Sequence, residues 1–345
     1  MGIKRKIKYA IAKKLIEQRR KKLDFDISQV ETYQLPINAK EHDNNSFYFT
    51  GHANDGHRFL ARLAFRGVGN VEVWFALFIP NRGLYNYKKN IDKPNNKGKN
   101  IFSSGPLTFT CIEPAKKWKI DFEGELEGEN EQISVKFGGV FSSDYPVINF
   151  STDIHPAPMA RSLSQETWSK SFFAKLKESD QVHTEQCGKF VGSYSLSGET
   201  VHLSMSSLRD HSYGKRDWSF MERHIWIIIG LDDGSFFNFS LVDYPILKNL
   251  VTGFHIKKDG IIRVIDGSTF GDIWCDRETI PKEFTFFAQM ESEERILVNC
   301  SFDLSLTWIM DNVYSITEGL ANFELLGMKG KGIAEFGKLT KNSEK

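Results

Sequence analysis

The sequence predicts an all-β protein made of two tandem antiparallel β domains, with a connecting helix between them and a basic helix in front. Three observations predict it. After Leu23 the chain breaks into short alternating or aromatic-rich runs separated by turn signals, the texture of a barrel or a sandwich. One segment at mid-chain, Ala160–Leu176, has helical spacing instead. A faint echo relates the halves: Gly51-His-Ala-Asn-Asp-Gly-His-Arg-Phe-Leu60 resembles Gly230-Leu-Asp-Asp-Gly-Ser-Phe-Phe-Asn-Phe239, half a chain further on.

The 345 residues are 40% hydrophobic and include 28 Phe, enough for a packed core. The net charge of +1 hides an asymmetry, because residues 1–23 carry +9 and the remainder −8. Between Ile3 and Leu23 there is no Pro or Gly, and Ile3, Ile7, Ile11 and Leu15 recur at i,i+4 among Lys4, Arg5, Lys6, Lys8, Lys13, Lys14, Arg19, Arg20, Lys21 and Lys22. This predicts a basic amphipathic helix over 1–23. Such a helix suits an anionic membrane surface through residues 3–23. A calmodulin-type target or a targeting peptide shares the pattern, and a stripe packed on the domain behind is the plain alternative. Met1-Gly2 is discounted as a myristoylation site because position 6 is Lys6. The excess of positive charge ends at Lys22 and the remainder is net −8, so no nucleic-acid partner is expected. With no run near the ~18 apolar residues of a spanning helix and no secretory pattern, the expectation is a cytoplasmic protein, peripheral at most to a membrane.

Candidate strands in the first half are 46–51, 58–65, 71–79, 107–112, 118–126 and 133–141. The second half offers 190–196, 201–205, 225–230, 236–242, 253–256, 261–265, 284–288, 296–302, 304–310 and 314–316. Asp55-Gly56, Asp233-Gly234, Asp259-Gly260 and Asp266-Gly267 read as hairpin corners of type I′. In the mid-chain segment Leu163, Trp168, Phe172 and Leu176 give the helical stripe, with Ser164, Glu166 and Thr167 at its start. The expected division is therefore 1–23 for the basic helix, 24–157 for the first β domain, 158–182 for the linking helix and 183–345 for the second β domain.

Cys111, Cys187, Cys275 and Cys300 stand far apart, which reads as buried reduced thiols. The nine His form no His-Glu-x-x-His or His-x-His pair, so no metal site is expected. There is neither a Gly-x-Gly-x-x-Gly after a strand nor a phosphate loop, and no organic cofactor is expected.

The densest polar cluster is Ser207-Leu-Arg209-Asp210-His211-Ser212-Tyr213-Gly214-Lys215-Arg216-Asp217-Trp218, followed by His224-Ile225-Trp226. His183, Glu185 and Gln186 precede it, and Gly330-Lys-Gly332-Ile-Ala-Glu335-Phe336-Gly337 stands near the end. Asp210 against apolar walls would have a raised pKa and suit proton donation. His211 or His224 would take a proton, and Tyr213, Trp218 and Trp226 would offer aromatic faces to a cationic centre. The structural reading makes Arg209, Arg216 and Asp217 an ion-pair network locking the two domains together. It makes Gly214 a backbone requirement and His224 with Trp226 one face of a core strand.

Residues 209–218 resemble the Arg-Asp-His-Ser-Trp-Gly-x-Arg-Asp-Trp signature of the carotenoid-hydratase/AttH-like superfamily, with Tyr213 in place of Trp. His183, Glu185, Gln186 and Gly188 resemble its His-Tyr-Glu-Gln-x-Gly, with Thr184 in place of Tyr. Glu113-Pro114, Trp118, Phe122 and Gly124 resemble its first-barrel signature, and Gly330-x-Gly332-x-x-Glu335 its closing strand. The resemblance spans about 45–337 and implies two tandem lipocalin-like barrels holding an elongated apolar molecule between them.

It also implies a cofactor-independent hydratase, isomerase or cyclase for an isoprenoid-like or polyketide-like substrate. Asp210, His211 and His224 would be catalytic, and Tyr213, Trp218, Trp226 and Glu335 would bind substrate. Arg209, Arg216, Asp217, His183 and Glu185 would form a structural network. The alternative is a non-catalytic carrier of a lipid or pigment.

Overall fold

The computed structural model describes residues 2–23, 25–27, 31–32, 35, 38–91, 98–178, 181–270, 280–302 and 304–340. They form two compact units, each built on one antiparallel sheet.

The first unit comprises residues 24–150 and 180–216. Its strands are β1 (Asp43–His52), β2 (Arg58–Arg66), β3 (Val71–Ile79), β4 (Gly83–Ile91), β5 (Ile101–Ser104), β6 (Leu107–Glu113), β7 (Lys117–Glu127), β8 (Gln132–Ser142) and the short β9 (Ile148–Asn149). Two long strands, later in sequence, complete it. With the helices α1 (Ile3–Arg20), α2 (Pro156–Gln165) and α3 (Lys170–Glu178) assigned elsewhere, these are β10 (Gln181–Leu196) and β11 (Glu199–Lys215). The order is β4-β3-β2-β1-β11-β10-β8-β7-β6-β5, with β9 on β10, and β4 meets β7 where Asn86 pairs with Glu127. Alternate residues fill the interior with rings: Phe47, Phe49, Phe75, Phe109, Trp118, Phe122, Phe137 and Phe190 are all within 1% of full burial. Phe75 stacks on Phe122 at 4.2 Å and Phe137 on Phe190 at 5.2 Å.

The expected boundary at residue 183 is corrected here. β11 pairs with β1 from Asp43↔Lys215 to His52↔Ser206, and β10 pairs with β8 from Lys189↔Ser142 to Leu196↔Val135. Without this hairpin β1 and β8 would be open edges, each presenting a row of unpaired backbone groups. The hydrogen-bond ladder therefore takes 181–215 into the first sheet and puts the division after Arg216.

The second unit comprises residues 1–23, 151–179 and 217–345. Its strands are β12 (Arg223–Leu231), β13 (Phe236–Tyr244), β14 (Leu247–Ile256), β15 (Ile262–Ser268), β16 (Glu283–Met290), β17 (Arg295–Ser301), β18 (Ser305–Met310), β19 (Tyr314–Leu325) and β20 (Met328–Leu339). β17 pairs with the end of β19, which closes eight strands into a barrel, and β18 takes the first part of the same β19 edge. Ile225, Ile227, Ile229, Phe237, Phe239, Phe286, Val298, Phe323 and Phe336 make its core.

The mid-chain helix is two helices rather than one. Pro156 sits in the first turn of α2, where a missing N–H costs nothing. Ser169 accepts the Phe172 N–H at 3.1 Å and starts α3. Both belong to the second unit, where Ser162 Oγ donates to the Lys248 carbonyl (2.9 Å) and Arg161 pairs with Asp266 (2.8 Å).

Three of the four Asp-Gly corners are turns, and all three are built alike. In each, the Asp Oδ1 accepts the N–H two residues on: Asp55 from His57, Asp233 from Ser235, Asp259 from Ile261. Only the glycines take positive φ, at 103°, 88° and 83°, so the corners are type I turns followed by a left-handed glycine rather than type I′. Asp266-Gly267 is instead inside β15, at a register shift. Cys111, Cys187 and Cys300 are buried free thiols, each raised in pKa chiefly by burial; Cys275 lies outside the described residues.

Candidate functional site

β11 lies between β1 and β10, and its alternation sends neighbouring motif residues to opposite faces. Arg209 and His211 point into the barrel. His211 is fully buried, stacks on Phe47 at 4.0 Å, and shares a hydrogen bond between Nε2 and Asn45 Oδ1 at 2.7 Å. Burial, then the charges of Arg209 and His183, hold its pKa well below the ordinary value, so the ring is neutral. Arg209 is 2% exposed and pairs with Glu31 at 2.5 Å. Its Nε donates to Gln186 Oε1 at 2.8 Å, while Glu31 Oε2 accepts from Trp118 Nε1 at 2.8 Å and from the Ala115 N–H at 3.2 Å.

Asp210 takes the outer face, which is nonetheless buried. A single cross-strand row runs Glu185, Asp210, Tyr48, Arg62, Trp74 over five strands. Arg62 bonds Glu72 at 2.6 Å and covers the Trp74 ring at 4.3 Å. His183 closes the other end: its Nε2 contacts Asp210 Oδ2 and lies 3.3 Å from Glu185 Oε1, and the ring stacks on Phe150 at 4.2 Å. Burial alone would lower the imidazole pKa, but the Asp210 and Glu185 carboxylates override it and raise it to about 10. The ligand atoms of His183, Glu185 and Asp210 lie within 4.8 Å of one another, a spacing that fits a metal ion. At neutral pH the imidazole holds a proton there, which a metal would have to displace.

The second barrel carries its own polar face. On β12, Ile225, Ile227 and Ile229 enter the core while His224 and Trp226 face outward, still 7% and 9% exposed. Trp226 is opposite Glu335 on β20, and Glu335 is opposite Glu318 on β19. His224 is held at both nitrogens: Nδ1 by the Tyr314 hydroxyl at 2.8 Å and Nε2 by Glu335 Oε1. Trp218 stacks on Tyr314 at 5.3 Å. A Cβ at Gly337, opposite His224, would overlap the imidazole, so that glycine makes the space for the ring. The result is an imidazole held between a carboxylate and a phenol, with one indole stacked on the phenol and a second two residues along the same strand face, an arrangement suited to moving a proton at fixed geometry.

Residues 28–340 match a family model described as a domain of unknown function, DUF7064. The chain belongs to that family. Its structure is similar to that of an AttH-type protein of Nitrosomonas europaea, at TM-score 0.60 and 13% identity over 91% of this chain and 96% of that one. It is also similar to kievitone hydratase of Nectria haematococca (TM-score 0.55, 11% identity, 84% and 88% of the two chains) and to CghA (0.51, 8%, 87% and 88%). These likenesses show the fold, the tandem lipocalin-type architecture of AttH-like proteins. No curated protein matches this chain in sequence.

In this DUF7064 chain the expected site residues separate. Asp210, His183 and Glu185 gather on the first barrel's outer face; His224, Trp226, Glu335 and Trp218 gather on the second barrel's. His211 belongs to neither, because it is one residue from Asp210 on a strand and points inward. Tyr213 shares His211's face, with the rings 5.4 Å apart. Asp210 meets an imidazolium rather than apolar walls. Arg209 locks one barrel internally rather than joining two. Asp217 caps a short 3₁₀ turn, Trp218–Phe220, by accepting from the Ser219 N–H at 3.0 Å and hydroxyl at 2.6 Å. Arg216 donates its backbone N–H to the His42 carbonyl at 2.6 Å. Gly214 has φ of 115°, a backbone requirement as expected.

The sequence reading missed Tyr314, Glu318, Glu31 and Tyr48. A signal for one existed: counted back from the Asp-Gly corners, Tyr48 and Trp226 hold the same place in the first hairpin of each sheet.

Proposed function

We propose that this DUF7064 protein is a cofactor-independent acid–base catalyst acting on an apolar small molecule of isoprenoid-like or polyketide-like skeleton, by hydration, isomerisation or cyclisation at a double bond. The observation that carries the reading is His224 bonded at both nitrogens, to Glu335 and Tyr314, beside Trp218 and Trp226. The proton shared by His224 and Glu335 passes to one alkene carbon and leaves a cation that indole faces stabilise, and capture of that cation by water releases a proton back to the same imidazole–carboxylate pair. Two similar folds support the class, since one is named as a hydratase and another, CghA, was solved with a small molecule, Sch210972.

The His183–Asp210 pair on the first barrel is the second candidate centre, because it binds a proton at neutral pH. An imidazolium with a pKa of about 10 gives up its proton reluctantly near pH 7, and His224 is preferred because its phenol partner Tyr314 carries the Trp218 ring. The test is incubation with a panel of prenylated phenols and isoprenoid alkenes in isotope-labelled water, read by mass spectrometry. Turnover should fall about 10²–10⁴-fold in His224→Gln, with binding of an apolar fluorescent probe retained. Loss in Asp210→Asn with full activity in His224→Gln would move the centre to the first barrel. Probe binding without turnover of any panel member would make the protein a carrier.

A further inference from the structure

We propose that α1 is a docking helix for an anionic lipid bilayer surface. The expected stripe of Ile3, Ile7, Ile11 and Leu15 is present on α1, but it is not what holds the helix to the protein. The packed side is Tyr9, Ala12 and Ile16, set against Ala160, Leu163, Phe172, Ile246 and Leu247. Ala12 is 3% exposed, whereas Ile3, Ile7, Ile11 and Leu15 are 80%, 55%, 44% and 54% exposed. At 100° per residue the two sets lie on different sides of the cylinder, so an aliphatic side chain faces solvent once in each of four turns.

Around this stripe Lys4, Arg5, Lys6, Lys14, Arg19, Lys21 and Lys22 are exposed, and Glu17 is the segment's one acid. The surface continues beyond the helix. Lys8 Nζ donates to the Glu166 carbonyl at 2.7 Å and lies 5.6 Å from the Trp168 ring. Trp168 meets Phe173 edge-on at 5.6 Å, and Phe173 is 43% exposed on α3 between the exposed Lys170 and Lys175. Aromatic rings beside lysines are what the bilayer interface favours.

Three features select a bilayer over other occupants. Residues 1–23 carry +9 against −8 on the remainder, a separation that turns the basic side toward an anionic surface. A nucleic acid would use the lysines but leave four aliphatic side chains in water. A protein that wraps a basic amphipathic helix needs its circumference, and here one side is already packed on the second barrel. A flat surface needs only the free side, and it buries Ile and Leu while pairing Lys and Arg with lipid headgroups. Among the described residues no helix is long and apolar enough to cross a membrane, so the contact proposed is interfacial.

The test is vesicle flotation of the full chain with phosphatidylcholine vesicles, with and without phosphatidylserine. The protein should float with the anionic vesicles and be released by salt. Each lysine removed, as in Lys4→Gln or Lys14→Gln, should weaken binding about fivefold, the factor for about 1 kcal/mol per basic residue. Ile7→Glu with Ile11→Glu should abolish flotation without moving the thermal midpoint, since both side chains are already in solvent. Failure of the unaltered chain to float with anionic vesicles at low salt would overturn the proposal. So would flotation undiminished by the two glutamates, or tighter binding to duplex DNA than to the vesicles.

Discussion

His183 and His211 are on neighbouring strands, β10 and β11, and their pKa values are displaced in opposite directions. His183 rises from 6.5 to about 10, so the stability it gives is full below pH 6.5 and is lost as pH climbs toward 10. His211 is depressed well below 6.5, so its contribution is present above that value and is lost as pH falls. Urea unfolding across pH should therefore show loss of stability at both ends, with Asp210→Asn flattening the alkaline limb and His211→Gln the acid one. An alkaline limb unchanged in Asp210→Asn would contradict the pairing. The Arg209–Glu31 pair is a different kind of contact, fully buried, with Gln186 on the guanidinium and Trp118 and the Ala115 N–H on the carboxylate. Removing one partner, as in Arg209→Met, should cost about 3–5 kcal/mol of first-barrel stability, measured by the same unfolding.

At the scale of elements, β11 was the hardest to read. Its first half, Val201–Met205, looks like a strand, while 206–215 looks like a polar cluster on a loop. The strand continues because both of its faces are buried, one by the Phe-rich core and one by the Glu185-to-Trp74 row. Polar residues then occupy both faces, and the alternation that marks a half-solvated strand disappears. β4 failed for a related reason: Tyr85 and Tyr87 alternate, but Asn86, Lys88 and Lys89 between and after them read as loop. Where one face is apolar and the other polar, as in β7 and β8, the expected bounds fall within a residue of those found. β20 is read by its glycines, and Gly337 gives the sharpest test. Gly337→Ala should push the His224 ring aside, costing about 1–3 kcal/mol and most of any activity that depends on His224. Full activity in this variant would show that the imidazole's position is immaterial.

For the whole molecule, the all-β class, the duplication and the basic helix were legible, and the division between the units was not. A linking helix suggested that the chain changes unit once, at 158–182. It changes more than once, because the β10–β11 hairpin returns to the first sheet after α2 and α3 have packed on the second. Local pattern carries no information about which sheet a hairpin joins; pairing does. Cutting the chain after residue 182 should therefore expose two open edges and give aggregating halves, whereas cutting after Arg216 keeps both sheets intact. Comparing the two nicked chains by circular dichroism checks it, and equal folding of both would contradict the assignment.

Proton transfer at His224 and Glu335 is what would make this protein a catalyst. The most direct measurement is deuterium uptake into an isoprenoid alkene incubated with the protein in heavy water, followed by mass spectrometry, for the unaltered chain and for Glu335→Gln. Uptake should depend on the protein and fall at least tenfold in the variant. Equal uptake in both, or none in either with the alkene bound, would contradict it.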